Sequence, residues 1–257
     1  MNKKYFFFDY DGTLTDRRTM TLMPSSKEAL DLLQANGHFV ALATGRAHYK
    51  ARNVMESLGL HNMVCNGGGG IVIDDKLIRN NPLDLVKVKQ LLREATTNNI
   101  GYELQITDSI DIYSNNRLFD EQCGGRREPT ECIIDPNFDF EKCDTILKAY
   151  ISCTLEQEPL LPSLKEIGHL RFEKEYLIIQ HDDKRQGIIE LMEYLNAPLE
   201  DVVVFGDDTN DINMFDNQWT SIAMGNAVDE LKAIATYVTD NSYDDGVYKA
   251  CKKFNWI

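Results

Sequence analysis

The sequence predicts an α/β protein, a doubly wound (Rossmann-like) parallel sheet core with an inserted α+β module. Three observations carry this. Tyr5 to Phe8, Phe39 to Ala43 and Val202 to Phe205 are short continuous apolar runs, the texture of strands buried on both faces. Helix-length amphipathic stretches lie between runs of this kind, and strand–helix alternation is the rhythm of right-handed parallel crossovers. The rhythm breaks after Asn66 and returns at Lys184, and in between strands follow one another in quick succession beside helices. The reading divides the 257 residues into a core of 1–81 and 182–257 and an inserted module of 82–181.

The elements follow in order. After the aromatic strand Tyr5–Phe8, Ser25 and Glu28 have the spacing of a capping box. Ala29, Leu30, Leu32 and Leu33 form the apolar face of the helix it opens, and Gly37 stops it. Phe39–Ala43 is the second strand, a helix runs from about Ala47 to Leu58, and Met63-Val64-Cys65 is a short third strand. Gly67 to Gly70 is a run of four glycines, read as a hinge, and Ile71-Val72-Ile73 is a hairpin arm. In the module, a helix is expected from Asp84 to about Thr97, strands at Tyr102–Thr107 and Ile110–Ser114, and loop or short helix over 116–130. A helix near Phe140 to Tyr150, a strand at Ile151 to Leu155 and a hairpin from Leu170 to Gln180 complete it. The core resumes with a helix from Lys184 to Leu195, the strand Val202–Phe205, and shorter strands at Ser221–Met224 and Tyr237-Val238.

Composition excludes several classes. Lys and Arg number 27 against 41 Asp and Glu, a net charge of -14, which argues against a nucleic-acid partner or a membrane surface read by charge. No apolar run has the length of a signal-peptide core or a bilayer span. The six cysteines form no C-x-x-C and are read as reduced thiols, so the protein is expected to be cytoplasmic. Nothing in the sequence reports oligomeric state.

Chemistry concentrates where strands end. In an open parallel sheet, ligands bind at the carboxyl ends of the strands. The first strand runs into Asp9-Tyr10-Asp11-Gly12-Thr13, two carboxylates two residues apart. Asp9 is placed to attack an electrophile and Asp11 to move protons. The second ends in Thr44-Gly45, a hydroxyl and an unencumbered amide suited to phosphate oxygens. The strand at 202–205 ends in Gly206-Asp207-Asp208-Thr209-Asn210-Asp211, a set of hard oxygen ligands that repel one another without a cation, for which Mg2+ is the natural occupant. Singly, each of these is better explained as a helix cap or a turn residue. Their joint occurrence around one sheet is what favours chemistry.

These residues resemble the motifs of haloacid dehalogenase superfamily phosphatases, of the Cof-type branch with a large α/β cap between the second and third motifs. Asp9-Tyr10-Asp11-Gly12-Thr13 is similar to D-x-D-G-T, Ala43-Thr44-Gly45-Arg46 to the second motif, Lys184 to the third and Gly206 to Asp211 to the fourth. Asn66-Gly67 and Met224-Gly225-Asn226-Ala227 match two subsidiary signatures, and the likeness spans the whole length. Four motifs in order are far more specific than any one. Two departures stand out: Arg185 follows the lysine where the family has a small residue, which points to an extra cation near the mouth, and the 67–70 stretch is richer in glycine.

The resemblance implies a magnesium-dependent phosphatase acting on small phosphorylated metabolites, sugar phosphates by class, through an aspartyl-phosphate. It implies Asp9 as nucleophile and Asp11 as acid and base. Tyr10, Thr44, Gly45, Lys184 and Asn210 would bind phosphate. Mg2+ would be held by Asp9, the Asp11 carbonyl and Asp207, with Asp208 and Asp211 as supporting groups. The module would be the cap that selects substrate, with Arg126, Arg127, His169, Arg171 and Tyr176 as candidate contacts. Two rivals remain open: a phosphomutase built on the same core, and a receiver-like phospho-acceptor that performs no turnover.

Overall fold

Phe6, Phe7 and Phe8 expose none of their surface, as befits a strand covered on both faces. In the computed structural model, which describes residues 2–125, 130–171 and 173–257, this strand lies in the middle of an eight-stranded sheet. The order across the sheet is Tyr237–Val238, Thr220–Ala223, Val202–Gly206, Tyr5–Phe8, Phe39–Ala43, Met63–Cys65, Gly70–Ile73 and Lys76–Asn80. The first six are parallel; Gly70–Ile73 runs antiparallel to its neighbour Met63–Cys65. Chain order reverses about the first strand, whose neighbours are Phe39–Ala43 on one side and Val202–Gly206 on the other. This is the switch point at which a doubly wound sheet opens a crevice.

The chain divides into two units, Met1–Arg79 with Asp183–Ile257, and Asn80–Asp182. In the first, the helices Pro24–Ala35, His48–Ser57, Lys184–Tyr194 and Gly246–Lys253 bury apolar residues that include Leu30, Met55, Leu191 and Val247 in a core shared with the sheet strands. The second has a five-stranded sheet in the order Glu131–Ile134, Asp111–Ser114, Tyr102–Gln105, Lys148–Ile151 and Leu177–Ile179. The helix Leu85–Thr97, capped by the Asp84 carboxylate, packs Val88, Leu91, Leu92 and Ala95 against Leu104, Ala149, Ile151 and Leu177. Phe119, Tyr150, Tyr176 and Ile178 form a separate cluster.

Four expectations need correction. The first helix begins at Pro24, not after a Ser25 capping box, because proline at the first position has φ preset and no N–H to satisfy. The helix expected near Phe140 to Tyr150 is a single 3-10 turn at Phe140–Lys142 followed by the strand Lys148–Ile151. All four residues of that strand, Lys148 among them, are buried between two antiparallel neighbours, so its strand character comes from those partners and not from a pattern in the sequence. The strand expected at Ile151 to Leu155 therefore ends where it was to start, and Leu155–Leu160 is a 3-10 segment. The glycine run is not a loose hinge at Gly68: φ is +103° and an added Cβ would lie 2.0 Å from the Asp183 carbonyl oxygen, a closely packed junction. None of the six cysteines forms a disulfide, and no helix among the described residues is long and apolar enough to cross a membrane.

Candidate active site

The three neighbouring strands Val202–Gly206, Tyr5–Phe8 and Phe39–Ala43 are parallel and in register, so the residues after their carboxyl ends emerge side by side. The Asp9 amide still donates to the Phe205 carbonyl at 2.9 Å, which fixes Asp9 beside the 206–211 turn. Lys184, the first residue of its helix, reaches into this place and is 1% exposed. Its Nζ donates to Asp9 Oδ1 at 2.7 Å and to Asp211 Oδ1 at 2.6 Å. The other oxygen of Asp211 accepts from the Asp207 and Asp208 amides at 2.9 and 3.1 Å. Both oxygens of Asp211 are thus engaged in holding the lysine and the turn.

Asp9, Asp207 and Asp211 are all buried, with carboxylate oxygens within 4.8 Å of one another. Burial, then the Asp211 carboxylate, push Asp9 well above the usual carboxylate range, while Lys184 pulls the other way. Burial and Asp211 likewise push Asp207 up to about 7, against a hydrogen bond from Thr13. Burial opposes the charge on Lys184, but Asp211 and Asp9 outweigh it and hold the ammonium above its ordinary range. Buried hard-oxygen donors that are costly to ionise together are what a divalent cation relieves, so the donor set fits a metal. Among these three, Asp9 and Asp207 are the carboxylates that Asp211's bonding leaves for that purpose.

The loop after the first strand is shaped around Asp207. Gly12 has φ +92°, and a Cβ there would sit 2.2 Å from Asp207 Oδ2, so only glycine admits this approach. Thr13 Oγ1 donates to Asp207 Oδ1 at 2.9 Å. Asn226 Nδ2 donates to the Gly12 carbonyl at 2.9 Å and more weakly to Asp207 Oδ2 at 3.4 Å, while its Oδ1 accepts from the Ser242 amide at 2.7 Å. Arg17, half exposed, contacts Asp207 Oδ2 at 3.5 Å and pairs with Asp208. Asp208 also accepts from the Thr209 amide and caps the 3-10 helix Thr209–Met214.

On the other flank, Asp11 turns its carboxylate toward Arg46, which donates from Nε at 2.9 Å and from Nη2 at 2.6 Å. Thr44 is buried, and its Oγ1 accepts from the Arg46 amide at 3.1 Å. Tyr10 lies under the Arg46 guanidinium, 4.9 Å from carbon to ring centroid. Gly45 lies between Thr44 and Arg46, and Asn210 is half-buried in the first turn of the 3-10 helix.

The sequence profile of haloacid dehalogenase-like hydrolases matches residues 6–251. YkrA of Bacillus subtilis, provisionally named a phosphatase, is 29% identical over 261 residues, covering 100% of both chains. A 5-amino-6-(5-phospho-D-ribitylamino)uracil phosphatase of the same organism is 25% identical, covering 96% of this chain and 95% of its own. The solved structure of a protein from Geobacillus kaustophilus, 29% identical, superposes with a TM-score of 0.83 over 100% of each chain. The chain belongs to the haloacid dehalogenase-like hydrolases. It is an enzyme of their phosphatase branch.

All four haloacid dehalogenase motifs lie in the unit that carries the eight-stranded sheet. Thr13, Arg17 and Asn226 are site neighbours that carry no role in the motif reading. Asn226 had a signal, since it belongs to the subsidiary signature near the end of the chain; Arg17 had none. Arg185, expected as an extra cation near the mouth, donates from Nε to Asp216 at 2.5 Å, and its guanidinium lies 5.9 Å from the Trp219 ring. In the other unit, Arg171 pairs with Glu158 and donates to the Lys174 carbonyl at 3.0 Å, and His169 lies 3.8 Å from the same glutamate. Tyr176 packs 5.7 Å from the Phe119 ring. Arg126 and Arg127 lie outside the described residues.

Proposed function

We propose that the protein is a magnesium-dependent phosphatase that hydrolyses small phosphorylated metabolites, sugar phosphates foremost, through an aspartyl-phosphate on Asp9. The observation that carries this reading is the buried Lys184 bridging Asp9 and Asp211 beside Asp207. A nucleophilic carboxylate must be ionised while an anionic phosphoryl group approaches, and the lysine charge favours that state.

In the first step an Asp9 oxygen attacks phosphorus in line, and the bond from phosphorus to the leaving oxygen breaks. Asp11 gives a proton to the departing alkoxide. In the second step Asp11 takes a proton from water, the water oxygen attacks phosphorus, and Asp9 leaves with inorganic phosphate as product. Thr44, whose hydroxyl oxygen already accepts from the Arg46 amide, keeps its own proton for a phosphoryl oxygen. The Tyr10 and Gly45 amides, Lys184 and Asn210 are the other phosphate donors in this reading. Asp9, the Asp11 carbonyl and Asp207 would hold Mg2+, which when bound supplies positive charge to phosphoryl oxygens. Asp208 and Asp211 would support the site from behind, the former through the turn and Arg17, the latter through Lys184. The unit 82–181 would act as the substrate-selecting cap, with His169, Arg171 and Tyr176 among its polar groups.

The test is inorganic phosphate release, with Mg2+ and with chelator, from a panel of sugar phosphates, nucleotides, phosphoglycolate and phosphorylated flavin and pyridoxal precursors. The reading expects magnesium-dependent release and loss of activity in Asp9→Asn. An isomeric sugar phosphate without net phosphate release would mark a mutase instead. A phosphorylated protein stable for hours without turnover would mark a receiver-like acceptor.

A further inference from the structure

The strand that ends before Asp9 and the strand that ends before Thr44 are paired in parallel, Phe8 opposite Leu42. Asp11 and Arg46 therefore emerge from neighbouring strand ends, three and four residues past the last paired positions. The Arg46 guanidinium meets the Asp11 carboxylate through two nitrogens and two oxygens, at 2.9 and 2.6 Å. Such a planar fork fixes the plane of a carboxylate as well as its position. Asp11 needs that help: its side chain is 37% exposed, whereas Asp9, two residues earlier, is buried.

Arg46 is itself held from several directions. Its carbonyl accepts from the Asn66 amide at 2.7 Å and its amide donates to Thr44 Oγ1 at 3.1 Å. Its guanidinium lies 4.9 Å from the Tyr10 ring centroid, and the side chain is 24% exposed. Burial works against its charge, and Asp11, with Tyr10 and Asp9 behind it, more than compensates. A braced cation that meets Asp11 through two bonds is built to orient that group.

We propose that Arg46 is the positioning residue for Asp11, presenting the carboxyl group that moves protons at the orientation the leaving oxygen requires. This rests on the phosphatase reading above. Arg46 acts through Asp11, so its effect belongs to the proton transfer and scales with how much protonation the leaving group needs. A sugar alkoxide needs full protonation and p-nitrophenolate almost none.

The experiment compares wild type, Arg46→Met, Arg46→Lys, Asp11→Asn and the Arg46→Met/Asp11→Asn double variant. Each is assayed on p-nitrophenyl phosphate and on the sugar phosphate with the highest turnover in the panel, with kcat and KM measured separately. Arg46→Met is expected to lower kcat on the sugar phosphate by about 100-fold, within the range a general acid contributes, and on the aryl phosphate by less than about 5-fold. Arg46→Lys, with one donor direction instead of a fork, is expected to recover part of the loss. The double variant is expected to match Asp11→Asn alone, since a positioner has nothing left to position. Equal losses on both substrates carried by KM, or losses that add fully in the double variant, would overturn the proposal and make Arg46 a phosphate ligand. If Arg46→Met does not fold, the lysine variant carries the same comparison. Failure of the phosphatase reading looks different, because wild type then releases phosphate from neither substrate.

Discussion

Replacing Lys184 by methionine isolates the charge that the buried site depends on. The side chain keeps much of its length but loses both bonds, at 2.7 Å to Asp9 and 2.6 Å to Asp211, at a position 1% exposed. Two charge-assisted bonds at roughly 1.5–3 kcal/mol each give about 3–6 kcal/mol. Independently, breaking a buried ion pair by removing one partner costs roughly 3–5 kcal/mol, because a buried charge is left uncompensated. The two routes converge on a loss of about 4 kcal/mol near neutral pH. The loss should depend on pH in a defined direction. Without the ammonium, the burial and the neighbouring Asp211 carboxylate that raise Asp9 act unopposed, so Asp9 gains more from protonation in the folded state than in the unfolded state. A folded-state value raised above the unfolded one gives stability that is present at low pH and lost as pH rises, so the deficit should shrink between pH 8 and pH 5.5. The assay is urea unfolding of both proteins at the two pH values in chelator. A deficit below about 1 kcal/mol, or one identical at both pH values, would refute the claim that this lysine neutralises the site.

Four further outcomes are expected. Asp9→Asn should keep the fold and release no phosphate; magnesium-dependent release from that variant would remove Asp9 from the nucleophile role. Because Asp207 is pushed up to about 7 from an unfolded value near 3.8, metal-free wild type should lose stability as pH rises through that window. Metal binding at pH 6 should therefore release a proton, read by calorimetry in buffers of different ionisation enthalpy, and affinity should level off above pH 8. Gly12→Ala must move the backbone away from Asp207 Oδ2, 2.2 Å from the new Cβ, at an estimated cost of about 1–3 kcal/mol by thermal unfolding. Asn226→Ala removes the donor to the Gly12 carbonyl and should weaken metal binding by about 10–100-fold, measured by titration, with the fold retained.

Much of this was legible because strands and their ends announce themselves locally. The runs at Tyr5–Phe8, Phe39–Ala43 and Val202–Phe205 needed no partner to be read, and the polar residues after them inherit their place from parallel order alone. Lys148–Ile151 was misread because it contains a buried lysine and follows a 3-10 turn, so its strand character comes from the two neighbours that pair with it. The opening of the first helix was misread because two signals competed within three residues, and the proline outweighed the serine. Side-chain pairing was the least legible level. Arg185 and Arg46 look alike as cations near motifs, yet one is committed to Asp216 and the other to Asp11.

That difference changes how the excess of acid in this chain is understood. A net charge of -14 gives no long-range attraction for phosphate anions, so any attraction must be assembled locally. Around the strand ends stand five carboxylates, Asp9, Asp11, Asp207, Asp208 and Asp211, and three basic side chains are paired with them, Lys184, Arg46 and Arg17. Each base is already in contact with an acid, so the charge it can offer an incoming dianion is already partly neutralised. With all five ionised the group is short by two positive charges, which is what a single divalent cation supplies. The raised values of Asp9 and Asp207 express the same shortage from the proton side, because below neutrality protons can make up what a cation otherwise would. Proton and metal therefore compete for one deficit. Phosphate binding should consequently be as dependent on pH and divalent cation as turnover is, and a chelated enzyme that still bound inorganic phosphate with undiminished affinity at pH 8 would contradict this balance.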